Sequence, residues 1–479
     1  MSTDKSTTQS VQAVLDGTRP TIRHWVYAIA IFLVLLADGM DVTIVAHVFP
    51  SLVAEWGVTI GGGIALVVSG GFFAMGVGAL IGGRLADRIG RKNLMVAATI
   101  LFSVTTALGA TSADFTSFVL WRLIACIGIG AVMPIGMTLL ADLMPARHRA
   151  AMVTVIYAGV GLGVTLGAVL AGFILPTGDW RALLVVAGVA PLVLGLLLAI
   201  TVPESPAFYA ARGKPEKARR ALARIMPRVD SAAVDFTPPA PRDVESGGAT
   251  AARSGIKVIL SKPFTLTTLL LWVFGFFSLG TQLLIAQYLP TLLQQPTPGL
   301  DTVQSSTIVG WYGLASTISA VLLAAILVRY SRFIVIAITL AIGAIVAVIV
   351  TMQSDASYAV LLPLLTVAGF VLPAAFGPTR NVLAAAAYPV RVRGTGVGST
   401  EFAGRVGSTV GGAAGGVFIG AGMGLGGIYL LVLVPIAALL LSLAGLWAEA
   451  KKQGTTGQQG YTEDETRSTP AAASAAPVH

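Results

Sequence analysis

The chain has 479 residues, 55% hydrophobic and only 11% charged, with a mean hydropathy of +0.83. A soluble chain would carry about 25% charged residues, so this composition excludes a soluble multidomain enzyme and indicates a polytopic membrane protein. The net charge of +9 raises nucleic acid as a partner, but the bases sit where topology signals belong, and no nucleic-acid partner is expected.

Residues 1–24 are polar and precede a span too long for a signal-peptide core, so no cleaved targeting segment is read. Runs long enough to cross about 30 Å of hydrocarbon, roughly 20 residues each, lie near 25–48, 62–83, 94–112, 116–140, 151–175 and 182–202. After a polar stretch, six more follow near 264–289, 304–328, 333–352, 357–379, 394–420 and 424–447. The expected fold class is an all-α membrane protein with twelve transmembrane helices in two six-helix pseudo-symmetric halves. Its expected parts are a cytoplasmic N-terminal segment (1–24), a first half (25–202), a cytoplasmic linker (203–263), a second half (264–448) and a disordered cytoplasmic tail (449–479).

Of the 31 Lys and Arg residues, all but Arg122, Arg181, Arg380 and Arg405 fall on one side if both termini are cytoplasmic. The opposite loops hold the acids Glu55, Asp114, Asp179, Asp301 and Asp355. The expected location is therefore the plasma (inner) membrane, multi-pass, with both termini inside. The single cysteine, Cys126, and four scattered histidines exclude an intrachain disulfide and predict no metal site and no cofactor.

Between spans two and three stands "GGRLADRIGRK", Gly82 to Lys92. Gly90 permits a tight turn, and the bases hold the loop inside. The ordered Gly83, Asp87, Arg88, Gly90, Arg91 and Lys92 closely resemble the signature loop of the major facilitator superfamily. That resemblance implies a cytoplasmic gate in which these residues, with Asp142 and Arg149, latch the halves together. "ADLMPARHRAAMVTV" and "AAAYPVRVRGTGVGS" occupy the same ordinal place in the two halves and share a proline and spaced arginines, as in duplicated transporters. "VPESPAFYAARGKPEKARRAL" after span six also resembles the superfamily; its basic amphipathic helix is expected on the membrane surface.

Span one contains "LLADGMDVTIVAHVF". A carboxylate at the bilayer centre costs at least roughly 2.5–3.5 kcal/mol, so Asp38 and Asp41, three apart on one helical face, are read as functional. "DGMD" resembles the Asp–Gly–aromatic–Asp signature of the aromatic acid:proton symporters, with Met40 in the aromatic place. "WRLIACIGIGAVMP" and "YPVRVRGTGVGSTEFAGRVGS" resemble the same family, which implies a hydroxybenzoate-like carboxylate as substrate and protons as the coupled ion.

The embedded ionisable set is then Asp38, Asp41, Arg122, Glu401 and Arg405. Buried carboxylates can carry protons, whereas arginine keeps its charge and suits a fixed carboxylate. Arg122 either meets substrate at the entrance or pairs with a span-one aspartate. Glu401 and Arg405, four apart, form an intrahelical ion pair in the simplest account. Phe73, Tyr157, Trp272, Phe276, Gln282, Trp311 and Tyr312 are candidates for lining the substrate cavity. His47 is a proton-relay candidate or a structural histidine. Gly159, Gly163 and Gly167 of span five allow close helix contact.

The expected function is a proton-coupled symporter importing an aromatic carboxylate by alternating access, acting as a monomer. The alternatives are a carrier of a non-aromatic acid, sugar or drug, and a non-transporting membrane sensor. No phosphate loop, metal cluster or nucleophile–base set marks an enzyme.

Overall fold

The computed structural model describes residues 9–10, 14–16, 18, 20–227, 234–236 and 256–452. Apolar runs this long must satisfy their backbone groups internally, and helices result. The first half comprises α1 (Ile22–Trp56), α2 (Ala65–Ile89, entered through a π-helical turn, Ile60–Ile64), α3 (Arg91–Gly109), α4 (Phe115–Leu143), α5 (Ala146–Ile174) and α6 (Trp180–Thr201). Two short helices follow, α7 (Pro206–Ala211) and α8 (Pro215–Ile225). The second half holds α9 (Thr265–Leu293), α10 (Thr302–Arg329), α11 (Arg332–Met352), and a helix broken into α12 (Tyr358–Phe376) and α13 (Pro378–Ala387). It ends with α14 (Val390–Gly420), α15 (Leu425–Leu431) and α16 (Leu433–Lys452). A two-residue parallel pair joins β1 (Gln9–Ser10) to β2 (Val234–Asp235).

Among the described residues, eleven helical segments are long and apolar enough to cross a membrane. The remaining span is α14, 31 residues long. It misses on hydropathy because it is built of glycine and carries Glu401 and Arg405. The acids on the loops away from the termini have a local cause. Asp114, Asp179 and Asp301 each accept the backbone N–H of the residue three further on, at 2.8, 2.9 and 2.8 Å, and so cap α4, α6 and α10.

Within the first half, α1 and α5 pack by backbone contact. A side chain on Gly163 would stand 2.0 Å from the Leu36 carbonyl oxygen, and one on Gly39 would stand 2.1 Å from that of Val160. The expected glycine face of span five is thus the seat of α1. The halves meet along α5–α10 and α2–α14.

On the side away from the termini the α2–α14 seam is shut. A side chain on Gly420 would lie 2.7 Å from the Gly61 Cα, and one on Gly416 would lie 2.4 Å from the Ala65 Cβ. On the basic side a side chain at Gly83, Gly394 or Gly398 would meet nothing within 4 Å. The molecule is parted toward the side that carries its basic loops.

The α2–α3 connection is Gly90 alone, with φ +104°, a conformation that favours glycine. A side chain there would also strike Glu204, whose carboxylate accepts the backbone N–H of Lys92 at 3.0 Å and of Asn93 at 3.3 Å. The segment after α6 therefore caps α3. The amphipathic helix α8 differs from its expected place. Ala218, Leu222 and Ile225 are buried against residues of the first half, and Arg23 and Tyr27 of α1 donate to the Arg224 carbonyl at 2.6 and 3.1 Å. Its apolar face is already covered by protein and has none left for lipid. Most of the expected disordered tail, 453–479, lies outside the described residues.

Candidate functional site

Asp38 and Asp41 project from the middle of α1, and both are buried. Their surroundings differ. Asp41 Oδ2 takes a hydrogen bond from Arg122 Nη1 of α4 at 2.5 Å, and its Oδ1 takes one from Thr106 Oγ1 of α3 at 2.9 Å. Both oxygens are occupied, and the pair is almost wholly removed from water, with side-chain exposures of 0% for Asp41 and 9% for Arg122. Of the two readings of Arg122, the structure holds the pairing with α1. Asp38 Oδ1, by contrast, is buried with no hydrogen-bond partner among the described residues. The charges that act on it are Asp41, Arg405 and Arg122.

Arg405 comes from the other half. It sits on α14 where that helix crosses α2, its Cβ 4.0 Å from where a side chain on Gly76 would begin. Among the charges that reach Asp38, Arg405 is thus the one that comes from across the seam between the halves.

Beside the charge of Arg405 on its own helix, Glu401 has a tertiary partner. Glu401 Oε1 accepts from Arg380 Nε at 2.9 Å, and Oε2 from Arg380 Nη2 at 3.3 Å. Arg380 stands on α13, just past the break at Gly377, and also donates to the Gly377 carbonyl at 3.3 Å. A planar guanidinium can engage both carboxylate oxygens at once, which an arginine one turn away on the same helix does less well. Asn381, next to Arg380 on α13, acts on Glu401 as well.

The aromatic and amide candidates divide. Phe73 is 64% exposed and Trp311 50% exposed, so both turn outward; the neighbouring Phe72 instead lines a central crevice with Val45, Phe49, Val68, Arg122 and Gln287. A helix phase error of one residue, 100°, separates Phe72 from Phe73. Tyr312 is buried where α10 meets Gly369 of α12. Trp272 Nε1 donates to Ser399 Oγ at 3.1 Å and ties α9 to α14. Phe276 packs edge-to-face on Phe277 at 5.3 Å, with its backbone against Gly407. Those three serve helix packing in the second half. Gln282 faces the break at Gly377, its amide 3.6 Å from where a side chain there would begin. The side chains of Tyr157 and Arg149 lie outside the described residues.

Of the gate residues, Arg91 forms an ion pair with Asp142, which joins α3 to α4 inside the first half rather than across the halves. Asp87 and Arg88 are exposed at the end of α2, and the Asp87 carbonyl accepts Arg212 at 2.7 Å. Lys92 contributes its backbone N–H to Glu204, and Gly83 stands on the parted side. His47 donates from Nδ1 to the Thr43 carbonyl at 2.9 Å, while its Nε2 is buried without a partner among the described residues. Sequence reasoning passed over Thr106, Glu204, Arg380 and Asn381. A lone arginine after an apolar run, "FGPTRN", was the available signal for Arg380.

A chain with two six-helix halves, a glycine-lined seam and charges at its centre has close counterparts. The xylose transporter XylE from E. coli, in an inward open conformation, superposes with a TM-score of 0.66 over 88% of this chain and 95% of its own, at 19% identity. The 4-hydroxybenzoate transporter PcaK of Pseudomonas putida is 32% identical over 428 residues, covering 89% of this chain and 93% of its own length. The gallate transporter of the same organism is 32% identical, covering 90% and 93%. The family model described as Major Facilitator Superfamily matches residues 31–412. A shared fold and a family match that spans both halves lead to one conclusion: the chain belongs to the major facilitator superfamily of membrane transporters.

Proposed function

We propose that this protein imports an aromatic carboxylate together with protons by alternating access. The observation that carries the reading is the contrast within α1. Asp41 is locked onto Arg122 and Thr106, while Asp38 keeps a buried oxygen without a partner among the described residues and is reached by the charge of Arg405 of the other half. The names of the relatives, transporters of 4-hydroxybenzoate and of gallate, support the substrate class.

The mechanism follows from charge. Ionised Asp38 competes with a substrate carboxylate for Arg405. A proton on Asp38 removes that competition, so proton loading and carboxylate binding favour each other. Arg405 holds its charge throughout and suits a planar carboxylate. The seam, shut on one side and parted on the other, supports a two-state movement of the halves. With the basic side cytoplasmic, the parted state faces inward, in the plasma membrane, and a single copy suffices. One proton with a monoanion is electroneutral; a second proton adds about 2.3 kcal/mol per 100 mV to the driving force.

The test is uptake of radiolabelled 4-hydroxybenzoate, benzoate, gentisate and protocatechuate into proteoliposomes, with and without an inward proton gradient. Wild type should accumulate at least one acid under the gradient. Asp38→Asn should retain gradient-independent exchange and lose accumulation. Accumulation by Asp38→Asn equal to wild type would refute the coupling role, and no flux of any acid through inserted wild type would refute the substrate class.

A further inference from the structure

Resting on the reading above, we infer that the second half selects hydroxylated rings: Gln282 and Asn381, beside the break at Gly377, accept a hydrogen bond from a ring hydroxyl of the substrate. Both side chains keep a buried carbonyl oxygen with no partner among the described residues, Oε1 of Gln282 and Oδ1 of Asn381. A buried acceptor left unpaired costs more than a made bond returns, so such atoms mark a place for a donor. Asn381 directly follows Arg380 on α13, about one turn past Gly377.

The groups form one chain of contacts. The Gln282 amide lies against Gly377, whose carbonyl takes Arg380; Arg380 holds Glu401, and Asn381 is the next residue on α13. Arg405 stands one turn further along α14 than Glu401, about 6 Å along the axis, comparable to the reach of a benzene ring with two para substituents. A carboxylate at Arg405 would therefore direct the far edge of its ring toward the break. The Arg380–Glu401 pair does not itself bind the ring; it ties the start of α13, on which Asn381 stands, to α14. The broken helix is what brings the amides there, because Gly377 leaves no side chain between Gln282 and the backbone.

The experiment compares three acids in proteoliposomes: 4-hydroxybenzoate, benzoate and 4-methoxybenzoate. The last has an oxygen in the same place but no proton to donate. Wild type should favour 4-hydroxybenzoate in kcat/KM by about tenfold or more over both others. Gln282→Leu and Asn381→Leu should each bring the ratio to within about threefold of unity, read for the acids in the same vesicle preparation. Gln282→Glu, which keeps an acceptor, should retain the preference. Equal handling of all three acids by wild type overturns the inference whatever the variants do, as does an unchanged ratio in both leucine variants. Wild type that moves none of the acids would instead refute the transport reading, so the two failures are distinct.

Discussion

The two halves each bury an acid–arginine pair, and the pairs are built differently. In the first half, Asp41 is wholly enclosed, both its oxygens are filled, and it ties together three unbroken helices, α1, α3 and α4. In the second, Glu401 is one-third exposed (33%), and its partner Arg380 stands on a helix that has just restarted after a break. The amides around that pair are left with unmade bonds. The first pair stiffens a frame, while the second keeps an adaptable surface in position. On the function proposed above, proton chemistry would call for the former, because a carboxylate beside Asp38 must not wander, and recognition of a ring that enters and leaves would call for the latter.

The sharpest way to break this comparison is to remove one arginine from each pair. Arg122→Leu leaves Asp41 charged in an enclosed site and should cost about 3–5 kcal/mol, while Arg380→Leu should cost clearly less because Glu401 can reach water. Thermal unfolding of the purified protein in detergent measures both. Asp41→Asn combined with Arg122→Gln should recover most of the first loss; equal losses for the two single variants would erase the distinction. A smaller effect is expected from the helix seats. Gly163→Ala forces a side chain onto the Leu36 carbonyl and should destabilise by about 1–3 kcal/mol. Gly83→Ala, with nothing within 4 Å, should be near neutral in the same assay. The smallest concerns Glu55, paired with Arg181 at 2.7 Å on the surface. Both side chains are more than a third exposed, so Glu55→Gln should change stability by under about 1 kcal/mol, and less at high salt.

The order of spans was legible because lipid imposes a length and a polarity that sequence carries openly. Asp38 and Asp41 were legible for the same reason, as charges where charges are costly. What escaped was tertiary. Apolar runs stop at Arg380, so the helix there reads as ended near residue 379, yet α13 runs on to Ala387 because Glu401 neutralises the arginine. Glu401 reads as the partner of Arg405 because a helix neighbour is visible in one dimension, whereas Arg380 becomes visible only once α13 and α14 lie side by side. Phe73 stands for Phe72 because an all-apolar helix gives no phase. The latch motif was recognised, but its Arg91 engages Asp142 inside one half, a choice the motif leaves open. Glu204 acquires its role only when the chain returns to the α2–α3 turn.

The helix that carries Arg405 has glycine on two faces. Gly407 and Gly411 lie against the backbone of α9, and Gly412, Gly416 and Gly420 lie against α2 and the turn before it. Toward α9 the contact is backbone on backbone, while toward α2 Gly412 receives the Val68 and Phe72 side chains. The position of Arg405 is thus set by two close helix seats, and a side chain added at Gly407 would displace the arginine together with its helix.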